Sequence, residues 1–187
     1  MTYTLPANIA DRPITIIGGG TLGRRIGLML SLQGGEVRIY DTDLAVARAA
    51  VEYIATQRHR AVEELGGTPG VRLAAKDDLA EALRESWLVV EAVPEKLGLK
   101  QAIFADLDQM AAPDAVLASN SSSFASAEFI GGVTRPERVL NMHFYMPPAV
   151  RSVELMSSGH TDPAVFELLM AELPKYALVP HRVRTQS

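Results

Sequence analysis

Ser122, His143 and Glu154 are residues whose types could move a proton at a carbon-bound oxygen. Histidine titrates nearest neutral pH and is the usual general base for a hydroxyl proton. A carboxylate can hold its imidazole in one tautomer, and a serine hydroxyl can polarise the oxygen that gains or loses the proton. The spacings are 143 − 122 = 21 and 154 − 143 = 11 residues, and each residue lies in or just beyond an apolar run: AVLASNSSS (115–123), VLNMHF (139–144) and SVELM (152–156). On these types alone the alternatives stay open. A lone histidine beside a strand end is often a satisfied structural residue, and a Ser-Asn run is often a solvated turn. Glu91 and Glu95, in VVEAVPE, could simply cap the helix that starts near Lys96.

Residues 14–23, ITIIGGGTLG, carry a second chemistry. Gly18, Gly20 and Gly23 fit G-x-G-x-x-G between an apolar run (ITII) and an amphipathic stretch from Leu22 to Gln33. The next run, VRIY (37–40), ends in Asp41, which lies 41 − 18 = 23 residues beyond the first glycine. In that setting the glycines make a dinucleotide-binding turn. Gly18 permits the tight turn, Gly20 lets a pyrophosphate approach the backbone, and Gly23 lets helix and strand pack closely. Thr21 and Leu22 complete the turn where the helix N-terminus meets the phosphates. Asp41 can accept from both ribose hydroxyls and repel a 2′-phosphate, so the expected cofactor is NAD rather than NADP.

The elements that must position these groups alternate along the chain. Strands are expected at 14–17, 37–40, 71–75, 87–93, within 115–123 where the strand runs into a polar loop, 139–144, 152–156 and within 176–183. Helices are expected at 22–33, 44–65, 78–85, 96–110 and from Asp162 to Leu173. Strand–helix alternation predicts an α/β fold, a Rossmann-type doubly wound and mainly parallel sheet with helices on both faces. Such sheets bind ligands at the carboxyl ends of their strands. The polar loops containing Glu91, Glu95 and Lys100, then Asn120 and Ser122, then His143, should therefore converge with Glu154.

Composition narrows the class further. The 187 residues allow one sizeable domain, and 48 % hydrophobic with 21 % charged residues is ordinary for a globular chain. A net charge of −4 without a basic stripe gives no reason to expect a nucleic-acid partner. With no cysteine there is no thiolate catalysis, and with no histidine pair at i, i+4 no metal is expected. Neither a signal-like start nor an apolar run of membrane-spanning length occurs, so a cytoplasmic protein without a membrane partner is expected.

Taken in order, GGGTLG, Asp41, VVEAVPEKLGLK, ASNSSSF, HFYMPP and VELM resemble the amino-terminal domain of the L-3-hydroxyacyl-CoA dehydrogenases. This family includes 3-hydroxybutyryl-CoA dehydrogenases and an L-gulonate dehydrogenase branch. The resemblance runs from about Arg12 to the C-terminus. It implies that His143 takes the hydroxyl proton on oxidation, that Glu154 pairs with His143, and that Ser122 contacts the substrate oxygen and the nicotinamide region. Glu95 and Lys100 match positions near the nicotinamide ribose, and Asn120 belongs with the cofactor-binding set. The implied reaction moves a hydride from C3 of a 3-hydroxyacyl thioester to NAD, leaving a 3-ketoacyl thioester.

Several features depart from the family pattern. Met146 stands where the family usually has Asn, and the interval from His143 to Glu154 is one residue shorter. Between the long helix and VRLAA there is only GGTPG and its neighbours, where the family often carries a helical hairpin that helps hold the acyl-CoA. This contraction keeps a smaller free hydroxy acid, as in the gulonate branch, as an alternative substrate. The resemblance also implies an all-helical second domain that would follow RVRTQS, dimerise, close over the substrate and supply a further catalytic Asn. Residues 1–187 are thus expected to be one dinucleotide-binding domain of a longer homodimeric protein. The alternative is a module that binds NAD without catalysis of its own.

Overall fold

A computed structural model describes residues 3–183. The elements, in chain order, are β1 (Ile14–Ile17), α1 (Thr21–Leu30), β2 (Glu36–Tyr40), α2 (Leu44–Leu65), β3 (Arg72–Lys76), α3 (Leu79–Leu83), β4 (Leu88–Glu91) and α4 (Leu97–Met110). They continue with β5 (Val116–Ser119), α5 (Ser126–Phe129), β6 (Val139–Phe144), β7 (Ser152–Ser157), α6 (Pro163–Glu172) and β8 (Val179–Arg182). The eight strands form one sheet in the order β3-β2-β1-β4-β5-β6-β7-β8. Every neighbouring pair is parallel except β6 with β7. The fold is therefore the doubly wound, mainly parallel sheet that the alternation of elements implies.

Both faces of this sheet are buried, because period-two alternation sends successive apolar residues to opposite sides. Ile14 and Ile16 of β1, with Leu88 and Val90 of β4, pack beneath α1, α2 and α6. Ile17, Val89 and Leu117 face the other way, under α3, α4 and α5. This double burial explains why the central strands are unbroken apolar runs. The helix starts follow local chemistry: the Asp43, Asp78 and Asp162 carboxylates accept backbone N–H bonds at the starts of α2, α3 and α6.

Some elements differ from those expected. α1 begins at Thr21 and ends at Leu30, because Gly34 and Gly35 both take positive φ and turn the chain into β2. The strand expected over 87–93 stops at Glu91, whose carboxylate accepts the Val93 N–H (2.8 Å) and turns the chain. The last strand is confined to Val179–Arg182, since a 3-10 turn and the left-handed Ala177 occupy its expected start. α5 is not among the expected helices, and Ser126 at its start is held by the Asn141 side chain.

α2 leads directly through residues 66–71 into β3, with no helical hairpin. Arg58 of α2 stabilises this short passage, donating to the backbone carbonyls of Ser31, Thr68 and Pro69. Among the described residues, no helix is long and apolar enough to cross a membrane.

Candidate functional site

The turn between β1 and α1 is shaped by what its glycines cannot carry. Gly18 has φ +101°, and a Cβ there would lie 2.8 Å from the Ala92 carbonyl oxygen. A Cβ on Gly23 would lie 1.9 Å from the Gly18 carbonyl oxygen, so α1 could not seat against the turn. Gly20 is different: a Cβ there would meet nothing within 4 Å. It lines the cleft at the start of α1, and no side chain caps that helix. The turn thus leaves open space against bare backbone at a helix N-terminus, where an anionic group is favoured.

Asp41 follows β2 and is tied to this turn. Its Oδ2 accepts the Gly19 N–H at 2.9 Å and its Oδ1 accepts the Asp43 N–H at 3.1 Å. Both the turn and Asp41 line a cleft of about 1020 Å³ along the carboxyl ends of β1, β2, β4, β5 and β6. This is a large volume for a small-molecule site, at the upper end of the usual range.

At the other end of the cleft are the groups suited to proton transfer. Antiparallel pairing of β6 and β7 sets His143 directly opposite Glu154. Their Nδ1 and Oε2 atoms are 3.3 Å apart, despite the short interval between them in the chain. Glu154 also accepts from the Tyr145 hydroxyl at 2.8 Å, and the Tyr145 ring centroid lies 4.8 Å from that of His143. Hydrogen bonds from Tyr145, then His143, hold the Glu154 carboxyl below its ordinary pKa, while the same bond to Glu154 raises the Tyr145 hydroxyl. Met146 is exposed, and the cleft lining stops at Tyr145.

Ser122 lines the cleft with His143 and lies in the turn after β5. Its N–H donates to Glu95 Oε1 at 3.0 Å, and the Ser121 hydroxyl donates to the same carboxylate. Asn120 also lines the cleft, and its Oδ1 accepts the Phe144 N–H at 2.8 Å, so the loop after β5 is fixed to the end of β6. The buried Asn141 side chain reinforces that loop, donating to the Ser121 and Phe124 carbonyls.

Glu91 and Lys100 are more deeply buried than their types suggest, at 0 % and 1 % side-chain exposure. The Lys100 ammonium lies 2.9 and 3.0 Å from the two Glu91 oxygens and 3.0 Å from Glu95 Oε2. Neither Glu91 nor Glu95 caps α4, which has no side-chain cap. Most of the expected site residues line this one cleft. Of the remainder, Thr21 and Gly23 belong to the first turn of α1, and Glu154 is bonded to His143 and Tyr145, which do line it. Tyr145, Ser121 and Asn141 are site residues that the sequence alone does not single out. A tyrosine two residues after a candidate base, and an asparagine two before it on the same strand, are the available signals.

Fold and site together define a dinucleotide-binding α/β domain with a paired histidine at the end of its cleft. Residues 13–185 match the family model described as 3-hydroxyacyl-CoA dehydrogenase, NAD binding domain, and the chain belongs to that family. It is 30 % identical over 174 residues to the mitochondrial hydroxyacyl-coenzyme A dehydrogenase of Rattus norvegicus, covering 87 % of this chain and 55 % of the relative. It is 35 % identical over 163 residues to a 3-hydroxybutyryl-CoA dehydrogenase of Mycobacterium tuberculosis, covering 83 % and 57 %. The solved 3-hydroxybutyryl-CoA dehydrogenase of Escherichia coli K12 superposes with a TM-score of 0.83 at 28 % identity, covering 92 % of this chain and 38 % of that one. The chain thus spans about half the length of the curated relatives it matches. NAD is the cofactor of the matched domain, and the open space at Gly20, the uncapped α1 and the tethered Asp41 fit it.

Proposed function

We propose that this chain is the NAD-binding and catalytic part of a dehydrogenase that interconverts 3-hydroxyacyl-CoA and 3-ketoacyl-CoA. The observation that carries this reading is the His143–Glu154 pair, 3.3 Å apart, at the end of the same cleft that the glycine turn and Ser122 line. An ionised carboxylate only accepts, so Glu154 keeps the hydrogen of His143 on Nδ1 and leaves Nε2 as the base. His143 takes the substrate hydroxyl proton at Nε2, and Glu154 stabilises the imidazolium that forms. The Ser122 hydroxyl donates to the substrate oxygen as it becomes a carbonyl. Bound NAD supplies the hydride acceptor for C3. Gly18, Gly20, Thr21, Leu22 and Gly23 hold the pyrophosphate, Asp41 and Glu95 the two riboses, and Asn120 keeps the β5 loop in register with His143.

In this reading residues 1–187 form one dinucleotide-binding domain. A helical partner domain, matching the length by which the relatives exceed this chain, would complete the substrate site and form a homodimer. A second reading keeps the chemistry and replaces the thioester with a small free hydroxy acid. It is favoured by the direct passage of α2 into β3, which leaves no hairpin for the CoA moiety. Calorimetry separates the two: the protein loaded with NAD⁺ is titrated with acetoacetyl-CoA and, separately, with acetoacetate. Binding of the thioester alone supports the main reading, binding of the free acid alone replaces it with the second, and binding of neither means that substrate recognition needs the partner domain and that residues 1–187 by themselves are an NAD-binding module.

Asp41→Asn tests the ribose assignment. Asparagine can still accept from the Gly19 N–H but has lost the charge. NAD⁺ affinity is expected to fall about tenfold, the scale of one hydrogen bond to a charged group. NADP⁺ affinity should fall less or rise, so the ratio of the two dissociation constants moves toward NADP⁺. An unchanged ratio would remove Asp41 from the cofactor site.

A further inference from the structure

We propose that Tyr145 is a positioning residue that commits the Glu154 carboxylate to His143 rather than to His181. This inference rests on the His143–Glu154 pair proposed above as the proton-transfer machinery. Glu154 stands between two imidazoles. Strand register sets it opposite His143 of β6 on one side and opposite His181 of β8 on the other. Neighbouring strands lie about 5 Å apart and register partners point to the same face, so one carboxylate can reach either ring. The opposite face of the sheet takes the apolar neighbours. Val153 and Leu155 belong to the core there, and the Arg182 guanidinium lies 4.3 Å from the Phe166 ring centroid. His181, the residue before Arg182, is thereby left on the Glu154 side.

Of these two rings, Glu154 bonds that of His143, with Nδ1 and Oε2 3.3 Å apart, while the His181 Nε2 lies 3.4 Å from the Ser152 hydroxyl. The shortest bond to Glu154 comes from neither: the Tyr145 hydroxyl donates to Oε1 at 2.8 Å. Tyr145 lies two residues beyond His143, on the same face, and its ring rests against the imidazole with centroids 4.8 Å apart. Oε1 is thus drawn toward β6, and the second oxygen is turned to Nδ1. The segment that carries Tyr145 is itself held. The Val150 N–H donates to the Met146 carbonyl at 3.0 Å, and Arg25 of α1 donates to the Pro147 carbonyl at 3.0 Å. Tyr145 acts through Glu154 and needs no contact with the substrate in this role.

What this choice decides is the tautomer of His143. A carboxylate at Nδ1 keeps the hydrogen there and leaves the Nε2 lone pair for the substrate proton. A carboxylate turned to His181 would release that hydrogen to either nitrogen. Part of the His143 population would then carry it on Nε2, where it cannot act as the base. The same hydroxyl bears on the charge of Glu154. Hydrogen bonds from Tyr145, then His143, lower the carboxyl, burial raises it, and the charges of His143 and His181 lower it further. Tyr145 and His143 from β6 and His181 from β8 are the titratable groups that face it. Loss of the Tyr145 hydroxyl therefore moves the carboxyl titration to higher pH, and both imidazoles are common to the two proteins compared.

The test is Tyr145→Phe, which deletes one hydroxyl from an exposed side chain outside the core, with thermal unfolding as the control. The His143 tautomers are read from long-range proton–nitrogen correlation spectra at a pH where the imidazole is neutral, and the Glu154 carboxyl is titrated by carbon NMR. Neither measurement needs substrate or cofactor. The expected result is a ratio of Nδ1–H to Nε2–H forms lower by about threefold or more, the scale of one hydrogen bond to a charge at a partly exposed site. The carboxyl midpoint is expected to move to higher pH with it. Adding His181→Ala should restore the ratio in part, because the carboxylate then has no second imidazole to bond. A folded Tyr145→Phe with an unchanged ratio overturns the proposal, and so does a lowered ratio that His181→Ala leaves where it was. A wild type in which His143 carries its hydrogen on Nε2 sinks the His143–Glu154 pairing itself, a result distinct from failure of the Tyr145 role.

Discussion

Replacing His143 with glutamine is expected to slow NADH formation from 3-hydroxybutyryl-CoA by about 10³-fold while NAD⁺ affinity changes less than about threefold. The size follows from the removal of a positioned general base, typically worth roughly 10²–10⁴ in rate. The selectivity follows from place. His143 stands at the end of β6 with its Nδ1 turned to Glu154, and the β6 residue next to it, Phe144, donates its backbone N–H to the Asn120 side chain. Glutamine keeps the strand and that hydrogen bond but cannot carry the substrate proton. Steady-state kinetics and an NAD⁺ titration on the same preparation check both halves. A parallel collapse of NAD⁺ binding would show His143 to be part of the cofactor cradle rather than the base.

The glycine turn yields the second large effect, and it separates two glycines three residues apart. Gly23→Ala places a methyl 1.9 Å from the Gly18 carbonyl oxygen and 3.4 Å from the Ile16 side chain. α1 must move off the turn, which is expected to cost about 2 kcal/mol or more of stability, the scale of overpacking in a filled core. NAD⁺ affinity should fall with it by about 10²-fold, since the backbone N–H groups no longer converge. Gly20→Ala meets no protein atom within 4 Å. Its stability should stay within about 0.5 kcal/mol of wild type, while NAD⁺ affinity drops because the methyl occupies the pyrophosphate's space. Chemical denaturation and calorimetry on the two variants give opposite patterns if this account holds. Equal losses of stability would contradict it.

Much of this arrangement was legible in the chain because single residue types forced it. Three glycines between an apolar run and a helix, with an acid 23 residues beyond the first, suit little besides a dinucleotide turn. The apolar runs of β1, β4 and β5 likewise declare strands buried on both faces. The antiparallel pairing of β6 with β7 was less visible, because a two-residue period states that a strand exists and not which way it runs. Yet that pairing is what sets His143 against Glu154. Capping of α4 was a reasonable use for Glu91 and Glu95, since acids before a helix often do this. A buried lysine nine positions after Glu91 lies against both instead, and one-dimensional spacing does not show which face of α4 turns inward. The Tyr145 bond to Glu154 was hidden for a similar reason, as it depends on the turn of the chain after β6.

The central claim is that one cleft brings NAD and a 3-hydroxyacyl carbon together beside His143. It is tested most directly by incubating the longer protein, with its proposed helical domain, with NAD⁺ and 3-hydroxybutyryl-CoA deuterated at C3, then measuring deuterium in the recovered cofactor by mass spectrometry. The account predicts transfer of the label to the nicotinamide ring in the wild-type protein, and its loss in His143→Gln. Saturable NAD⁺ binding with no label transferred from the thioester would contradict it.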